Sequence, residues 1–326
     1  MSRRTIIRRS ATGPQVVALG GGHGLAATLR ALRRVTDQIT AVVGVADDGG
    51  SSGRLREEFG VLPPGDLRMA LAALCGDDTW GRTWSDVIQH RFGGDGDLGG
   101  HSVGNLLITA LWEETHDTVI GLDWLGALLE AQGRVLPCST VPLEIVADVT
   151  GLDSANPDHV AIVRGQVAVA TTLGTVERIG LEPSNPPACP EAVAAILNSD
   201  VVILGPGSWF TSVLPHLLIP ELADAIVTSS ARKVLVMNLD PHRDSETAGV
   251  PVRAQLDMLH ALEPRLRLDA VIADPRHIVD TEGLREGCRS AELILAGVGH
   301  THPSRAGTHD PDRLAVAFGT VFESLG

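Results

Sequence analysis

Lysine is nearly absent: Lys233 is the one lysine among 26 basic residues, and every other cationic side chain is arginine. No glycine-rich segment therefore ends in Lys followed by Ser or Thr. That excludes a Walker-type phosphate loop and leaves Lys233 as the sole Schiff-base candidate. Cysteine is scarce too. Cys75, Cys138, Cys189 and Cys288 show no two-residue spacing, which argues against a zinc knuckle or a disulfide framework and for a reducing compartment. No apolar run is long enough to span a bilayer. Arg3, Arg4, Arg8 and Arg9 surround only Ile6 and Ile7, so the start lacks the apolar core of a secretion signal. Residues 1–14 read as a flexible, solvated basic arm with no assigned function. Positive charge is in deficit: 26 basic against 40 acidic residues leave a formal charge of −14. That charge repels nucleic acid and anionic membrane, and a cytoplasmic protein with neither partner is expected.

What is present is a globular chain. Its 326 residues are 44% hydrophobic, enough for one large core or two smaller ones. Short β-branched runs at 16–19, 39–45, 201–204, 234–237, 271–273 and 293–296 do not alternate with polar residues, as expected of parallel strands covered on both faces. Helical patterns fall at 25–34, 191–197, 256–262 and 312–325. This βαβ rhythm predicts an α/β fold with a doubly wound, mostly parallel, Rossmann-like sheet. The segment 66–190 interrupts it. Helices are expected at 67–74, 84–90, 103–112 and 122–131, then a small antiparallel meander at 143–149, 160–170 and 175–179. The segment reads as a helical and antiparallel β insertion over the carboxyl edge of the sheet, within a single nucleotide-binding domain of residues 15–326.

The first strand runs into Gly20, Gly21, Gly22, His23 and Gly24, and then a helix. Glycines let backbone N–H groups approach a phosphate, and a helix N-terminus adds partial positive charge. An anion cradle is expected, with a bare strand-to-helix turn as the alternative. Gly22, Gly24 and Ala27 also fit the spacing of a dinucleotide fingerprint, with Asp47 or Asp48 where a ribose-binding acid would stand. After the second strand come Asp47, Asp48, Gly49, Gly50, Ser51, Ser52, Gly53 and Arg54, followed by a helical pattern at 55–59. A dinucleotide fold needs one acid here and no second anion nest. Two adjacent loops therefore suggest a diphosphate or a bound metal.

Asp47 and Asp48 suit a hard cation or, equally, capping of the next helix. Arg54 and Arg68 are candidate phosphate contacts. Asp66, after Pro63, Pro64 and Gly65, is placed as a helix N-cap whose side chain is still able to face the crevice. His101, Ser102, Val103, Gly104 and Asn105 open another helix, whose N-terminus meets either a ligand or only an ordinary cap. The third strand ends in Gly205, Pro206, Gly207 and Ser208, a second tip across the switch point. The fourth ends at Asn238, before the polar loop of Asp240, His242, Asp244, Glu246 and Thr247, where an open α/β sheet usually keeps specificity groups. His300, His302 and His309 lie in a loose loop with Pro303 and Gly307 and read as solvated. No serine-hydrolase elbow is present.

In combination, residues 17–74, 100–105 and 205–218 resemble the YvcK-like gluconeogenesis-factor family, which is similar in fold to the phospholactate transferases (CofD-like) of deazaflavin coenzyme biosynthesis. The likeness is carried by Ala-Asp-Asp-Gly-Gly-Ser-Ser-Gly-Arg at 46–54, Pro-Pro-Gly-Asp at 63–66 and Gly-Pro-Gly-Ser at 205–208, with Thr211 and Ser212. The resemblance implies a cytosolic regulatory protein that binds a nucleotide sugar, with UDP-N-acetylglucosamine expected. It implies support of cell-wall (peptidoglycan) synthesis and cell shape on gluconeogenic carbon, with cell-wall synthesis proteins and a homo-oligomer as expected partners. No established catalytic step comes with it. Carried over, Gly21, Gly22, Gly24, the loop from Asp47 to Arg54, Asn105, Gly207 and Ser208 line the phosphate side. Asn238, Glu246 and Thr247 face the nucleoside or sugar, and Arg285 matches a position where the family often has a basic residue.

The related transferases imply a rival function, transfer of a phosphoryl-linked group with Asp47 and Asp48 holding a divalent cation such as Mg2+. An NAD-dependent dehydrogenase fits the first loop alone. Two departures bear on the ligand. Val250 stands where relatives often carry an aromatic residue after the Glu-Thr pair, and the chain has no tyrosine, so stacking on a base is lost there. After Asn238 the chain reads Asp240, Pro241, His242 and Arg243 in place of the family's Thr-Gln-Pro-Gly.

Overall fold

The computed structural model describes residues 13–239 and 250–323. In chain order, β1 (Val16–Gly20) feeds α1 (Gly22–Leu32) and β2 (Ile39–Val43). Five helices follow: α2 (Gly50–Phe59), α3 (Gly65–Leu74), α4 (Thr79–Gln89), α5 (Val103–Thr115) and α6 (Thr118–Leu128). Next come β3 (Arg134–Pro137), β4 (Glu144–Thr150), β5 (Ala161–Arg164), α7 (Gln166–Ala170) and β6 (Thr175–Glu182). The second half alternates through α8 (Pro190–Leu197), β7 (Val201–Leu204), α9 (Pro220–Thr228), β8 (Arg232–Val236) and α10 (Val252–Leu262). It ends with β9 (Ala270–Ala273), α11 (Thr281–Gly287), β10 (Glu292–Leu295) and α12 (Pro311–Glu323).

Seven strands form one sheet in the order β10-β9-β8-β7-β1-β2-β3, and all of its pairs are parallel. Central strand β1 sets Val16 against Ile39 on one side and against Val201 on the other. The strands β1, β7 and β9 are buried along their whole length, because helices cover both faces and leave no polar side to alternate with. Chain order runs outward from β1 through β2 and β3, then restarts at β7 on the opposite side. The order reverses between β1 and β7, which is where a doubly wound sheet opens a crevice at its carboxyl edge.

Local sequence starts the helices. Ser102 accepts the Asn105 N–H to cap α5, and Asp117 accepts from Val119 and Ile120 to cap α6. Pro190 and Pro220 occupy the first positions of α8 and α9, where a missing N–H costs nothing. Against the sheet, α1 contacts both α3 and α12, while α8 pairs with α9 and α10 with α11. Among the described residues no single helix is long and apolar enough to cross a membrane.

The structure corrects two sequence expectations. Arg134–Pro137, unremarked as Arg-Val-Leu-Pro, is the edge strand β3 of the main sheet, so residues 66–190 are not one uninterrupted insertion. A helical layer enters between β2 and β3, and the antiparallel sheet β5-β4-β6 leaves after Cys138 and returns at Cys189, whose N–H donates to the Cys138 carbonyl at 3.2 Å. The expected strand at 160–170 is half helix: after β5 the chain turns at Gly165, φ +93°, into α7. Its Val-Ala-Val-Ala alternation imitates a strand, and the left-handed turn that ends β5 decides otherwise. Gly13 and Pro14, the last residues of the expected basic arm, are tied down, since their carbonyls accept from Gln38 and Thr36. The rest of that arm lies outside the described residues.

Leu29 of α1 is 0% exposed. Leu29→Ala should destabilise the fold by about 2–5 kcal/mol, read as a lower urea midpoint with unchanged slope.

Candidate functional site

Three loops meet at the carboxyl edge around the β1–β7 reversal. Gly22 opens α1 with φ +57°, in the left-handed region where a side chain is strained. Gly24 lies so close to the second tip that a Cβ on it would overlap the Pro206 carbonyl. The first glycine loop and the Gly205–Ser208 turn are therefore in contact through bare backbone. Two side chains brace the second tip. Asn238 clamps the Gly207 peptide, accepting from its N–H at 3.0 Å and donating to its carbonyl at 2.7 Å. Thr28 of α1 donates to the Gly205 carbonyl at 3.3 Å.

The two neighbouring aspartates part company. Asp47 accepts the Gly49 N–H at 3.0 Å through Oδ1, while its Oδ2 stands 2.7 Å from where a Cβ on Gly65 would be. Asp48 turns to the antiparallel insertion and accepts the Val167 N–H of α7 at 3.0 Å. The N-cap of α3 is Pro64, so Asp66 sits inside the first turn and makes no cap bond, contrary to the sequence expectation. The proline at the cap position carries φ −83°, ψ −7°, and starts the helix one turn-position early. Asp66 instead reaches the first loop, where a Cβ on Gly21 would overlap its Oδ2.

Burial, then the charge of Asp47, push the Asp66 pKa up to about 7, and the Gly22 N–H and Arg68 pull the other way. Two acids in this geometry share one environment and repel each other. Among the described residues no three His, Cys, Asp or Glu side chains gather to hold a metal. The Asp47–Asp66 pair fits a hard cation that takes its remaining oxygens from water and a phosphate.

Behind these loops a buried polar chain joins four helices, α2 to α5. Arg68 donates to Asn105 Oδ1 at 2.9 Å and to Gln89. Asn105 donates to Ser51 Oγ at 3.1 Å, and Ser51 Oγ shares a hydrogen bond with His101 Nδ1 at 2.9 Å. Arg68, Asn105, Ser51 and His101 are all buried. Burial, then Arg54, lower the His101 pKa and favour its neutral form, while burial and Arg91 lower that of Arg68 to about 10. Arg54 ties α2 to the 93–100 loop by donating to the Gly99 carbonyl at 2.8 Å.

The residues singled out by sequence thus fall into three groups. Gly21, Gly22, Gly24, Asp47, Ser52, Asp66, Gly205, Gly207 and Ser208 come together at the crevice; Gly65, beside Asp47, would bring a Cβ onto Ser52 Oγ. His23, Asp48, Gly50 and Arg54 are exposed around it, with Gly49 between. Asn105, Ser51 and Asn238 spend their polar atoms inside the protein. Arg285 is exposed in the last turn of α11, and no described contact joins it to the loops. Glu246 and Thr247, with Asp240, His242 and Asp244, lie outside the described residues. Sequence reasoning missed the Asp47–Asp66 pairing and the Val167 N–H on Asp48, because both depend on elements brought together from distant parts of the chain.

The Asp66 pKa gives a signed prediction. From its ordinary 3.8 to about 7, stability is full while the side chain is protonated in both states, falls as pH rises through this window, and stays reduced above it. Asp66→Asn should therefore be more stable than the parent at about pH 8 by roughly 2–4 kcal/mol, and equal to it near pH 4. Urea denaturation at both pH values checks this; an Asn variant no more stable at pH 8 contradicts it.

Residues 16–292 match the family model described as 2-phospho-L-lactate transferase CofD. A Mycobacterium tuberculosis protein provisionally named gluconeogenesis factor is 51% identical over 308 residues, covering 94% of this chain and 90% of the relative. The Listeria monocytogenes gluconeogenesis factor is 40% identical over 228 residues, covering 70% of this chain and 67% of that protein. A crystal structure of a UPF0052-family protein from Bacillus halodurans superposes with a TM-score of 0.83 at 30% identity, over 94% of this chain and 99% of that one. The chain belongs to the CofD family and groups with its gluconeogenesis-factor members.

Proposed function

We propose that this protein is a cytoplasmic regulatory protein that binds a nucleotide sugar, UDP-N-acetylglucosamine being the favoured ligand, and that supports cell-wall synthesis and cell shape on gluconeogenic carbon. One observation carries the binding part of the reading: at Gly24 the two glycine-lined tips touch through bare backbone, so the N-terminus of α1 opens beside the second turn, where its partial positive charge favours a diphosphate. Relatives named gluconeogenesis factor support the link to gluconeogenic carbon. Carboxylates on the β2 side suit the hydroxyl-rich sugar, since hydroxyls donate and carboxylates only accept.

A second reading, a divalent-cation-dependent transferase, is favoured by one specific feature. The Asp66 pKa is raised by burial and then by the charge of Asp47, and Mg2+ would offset both. When bound there, Mg2+ would neutralise charge on a transferring phosphoryl oxygen. The chain's own contribution would be to aim the phosphates with the N-terminus of α1 and to hold both acids in place from α3 and the second glycine loop.

Thermal unfolding with UDP-N-acetylglucosamine, GDP plus Mg2+, and NAD separates the candidates, because a ligand bound only to the folded state raises its midpoint. UDP-N-acetylglucosamine should give the largest rise; stabilisation by NAD alone contradicts both readings. Gly22→Val, forcing a β-branched residue to φ +57°, should abolish that rise while circular dichroism keeps its helical signal. An undiminished ligand response in this variant refutes the cradle.

A further inference from the structure

The tip of β9 carries a second organised polar group, away from the glycine loops. Asp274, the residue after the strand, has a fully buried side chain. Its carboxylate accepts four hydrogen bonds: from the Arg276 backbone N–H at 3.0 Å, Arg276 Nε at 2.9 Å, Arg276 Nη2 at 2.5 Å and the Gly299 N–H at 2.9 Å. Arg276 Nη2 also donates to the Gly299 carbonyl at 3.0 Å. Burial works against ionisation here, yet the bonds from Arg276 and Gly299 hold the Asp274 carboxyl far below the usual carboxylate range.

Desolvating a carboxylate is expensive unless it is paired, and this pairing has a one-sided result. The Arg276 side chain remains 42% exposed, fixed in one orientation by a two-pronged bond. Among the described residues its Nη1 donates to nothing. One rigidly held guanidinium nitrogen, Nη1, therefore stands open at the carboxyl edge of the sheet. A purely structural staple between β9 and the 297–310 loop would be served as well by a buried hydrogen-bonded pair that presents no donor to solvent.

Its place along the crevice is set by strand order. β9 lies two strands from β7 and three from β1, so at about 4.8 Å per strand its end is displaced sideways by roughly 10 Å from that of β7 and 14 Å from that of β1. A diphosphate at the switch point does not reach that far, but the group attached to it does. On the β2 side stand Asp47, Asp48 and Asp66, acceptors that repel a base edge made of carbonyl oxygens. On the β9 side stands a group with donors only.

We propose that Arg276 contacts the nucleobase of the bound nucleotide sugar, its open Nη1 donating to a base carbonyl oxygen, and that Asp274 is the positioning residue that aims it. This rests on the nucleotide-sugar reading above and fixes the ligand's direction: base toward β9, sugar toward β2. Uracil, with two carbonyl oxygens, suits a donor-only group.

Titration calorimetry of the full chain with UDP-N-acetylglucosamine, UDP, N-acetylglucosamine 1-phosphate and pyrophosphate tests it. Arg276→Gln should weaken both uridine ligands about tenfold to a hundredfold and leave the other two within about twofold. Arg276→Lys keeps a charge beside Asp274 but lacks the second edge of the fork; it should fold even if the Gln variant does not, and still lose uridine affinity. Asp274→Asn should lower uridine affinity by a smaller factor at unchanged pyrophosphate affinity. Variants that melt earlier yet bind uridine ligands as the parent does would make the pair a staple only and overturn the inference. Equal losses for N-acetylglucosamine 1-phosphate would overturn the assignment to the base. If neither uridine ligand binds the unaltered chain, the parent reading falls and the inference with it; if they bind and Arg276→Lys matches the parent, only the inference falls.

Discussion

Where the chain order of the sheet reverses, the start of α1 lies against the Pro206 carbonyl with no room for a side chain between them. Much of the site follows from that contact. It fixes the separation of the β1 and β7 tips, it requires glycine on the first loop, and it demands that the second turn be braced from behind. Asn238 supplies the brace from the next strand by bonding both polar groups of the Gly207 peptide. Thr28 supplies it from α1. A second turn held from two sides fixes the wall against which the N-terminus of α1 opens, so that the helix end is already ordered before a ligand arrives.

The charge arrangement makes sense on the same footing. A chain with a formal charge of −14 attracts an anionic ligand only through local features, and here most of the arginines near the loops are engaged elsewhere. Arg68 is buried with Asn105 and Gln89, and Arg54 holds a loop. Main-chain dipoles and α-helix N-termini are left as the main positive field at the reversal. Asp66 and Asp47 crowd the same crevice, and the elevated pKa of Asp66 records the conflict between its charge, its burial and the charge of Asp47. Such a conflict is tolerated in folded proteins chiefly at functional sites. At the far end, Arg276 offers a hydrogen-bond donor held in place by a fully buried carboxylate whose charge offsets its own.

The parallel sheet was legible because β-branched runs such as Val201–Leu204 and Ala270–Ala273 leave no polar alternation, a pattern that only a doubly covered sheet explains. The glycine tips were legible because three consecutive glycines after a strand have few other uses. β3 escaped notice because four residues including a proline carry almost no period, and only the partner strand β2 makes them a strand. The helical half of 160–170 escaped because Val-Ala alternation satisfies both periods and the deciding φ belongs to Gly165. Asn105 and Asn238 illustrate a different limit. Their place near the loops is visible in sequence, but whether an amide faces the ligand or the protein is settled by neighbours far away in the chain. Asp274 and Arg276 went unremarked for a similar reason: an Asp-Pro-Arg turn is ordinary until Gly299 closes over it.

Amide hydrogen exchange with and without UDP-N-acetylglucosamine tests the central claim most directly, because it reads the backbone N–H groups themselves. The account predicts that residues 21–24, at the start of α1, slow on ligand addition, with little change at the amino edge of the sheet. Protection confined to other segments, with residues 21–24 exchanging as before, would contradict it.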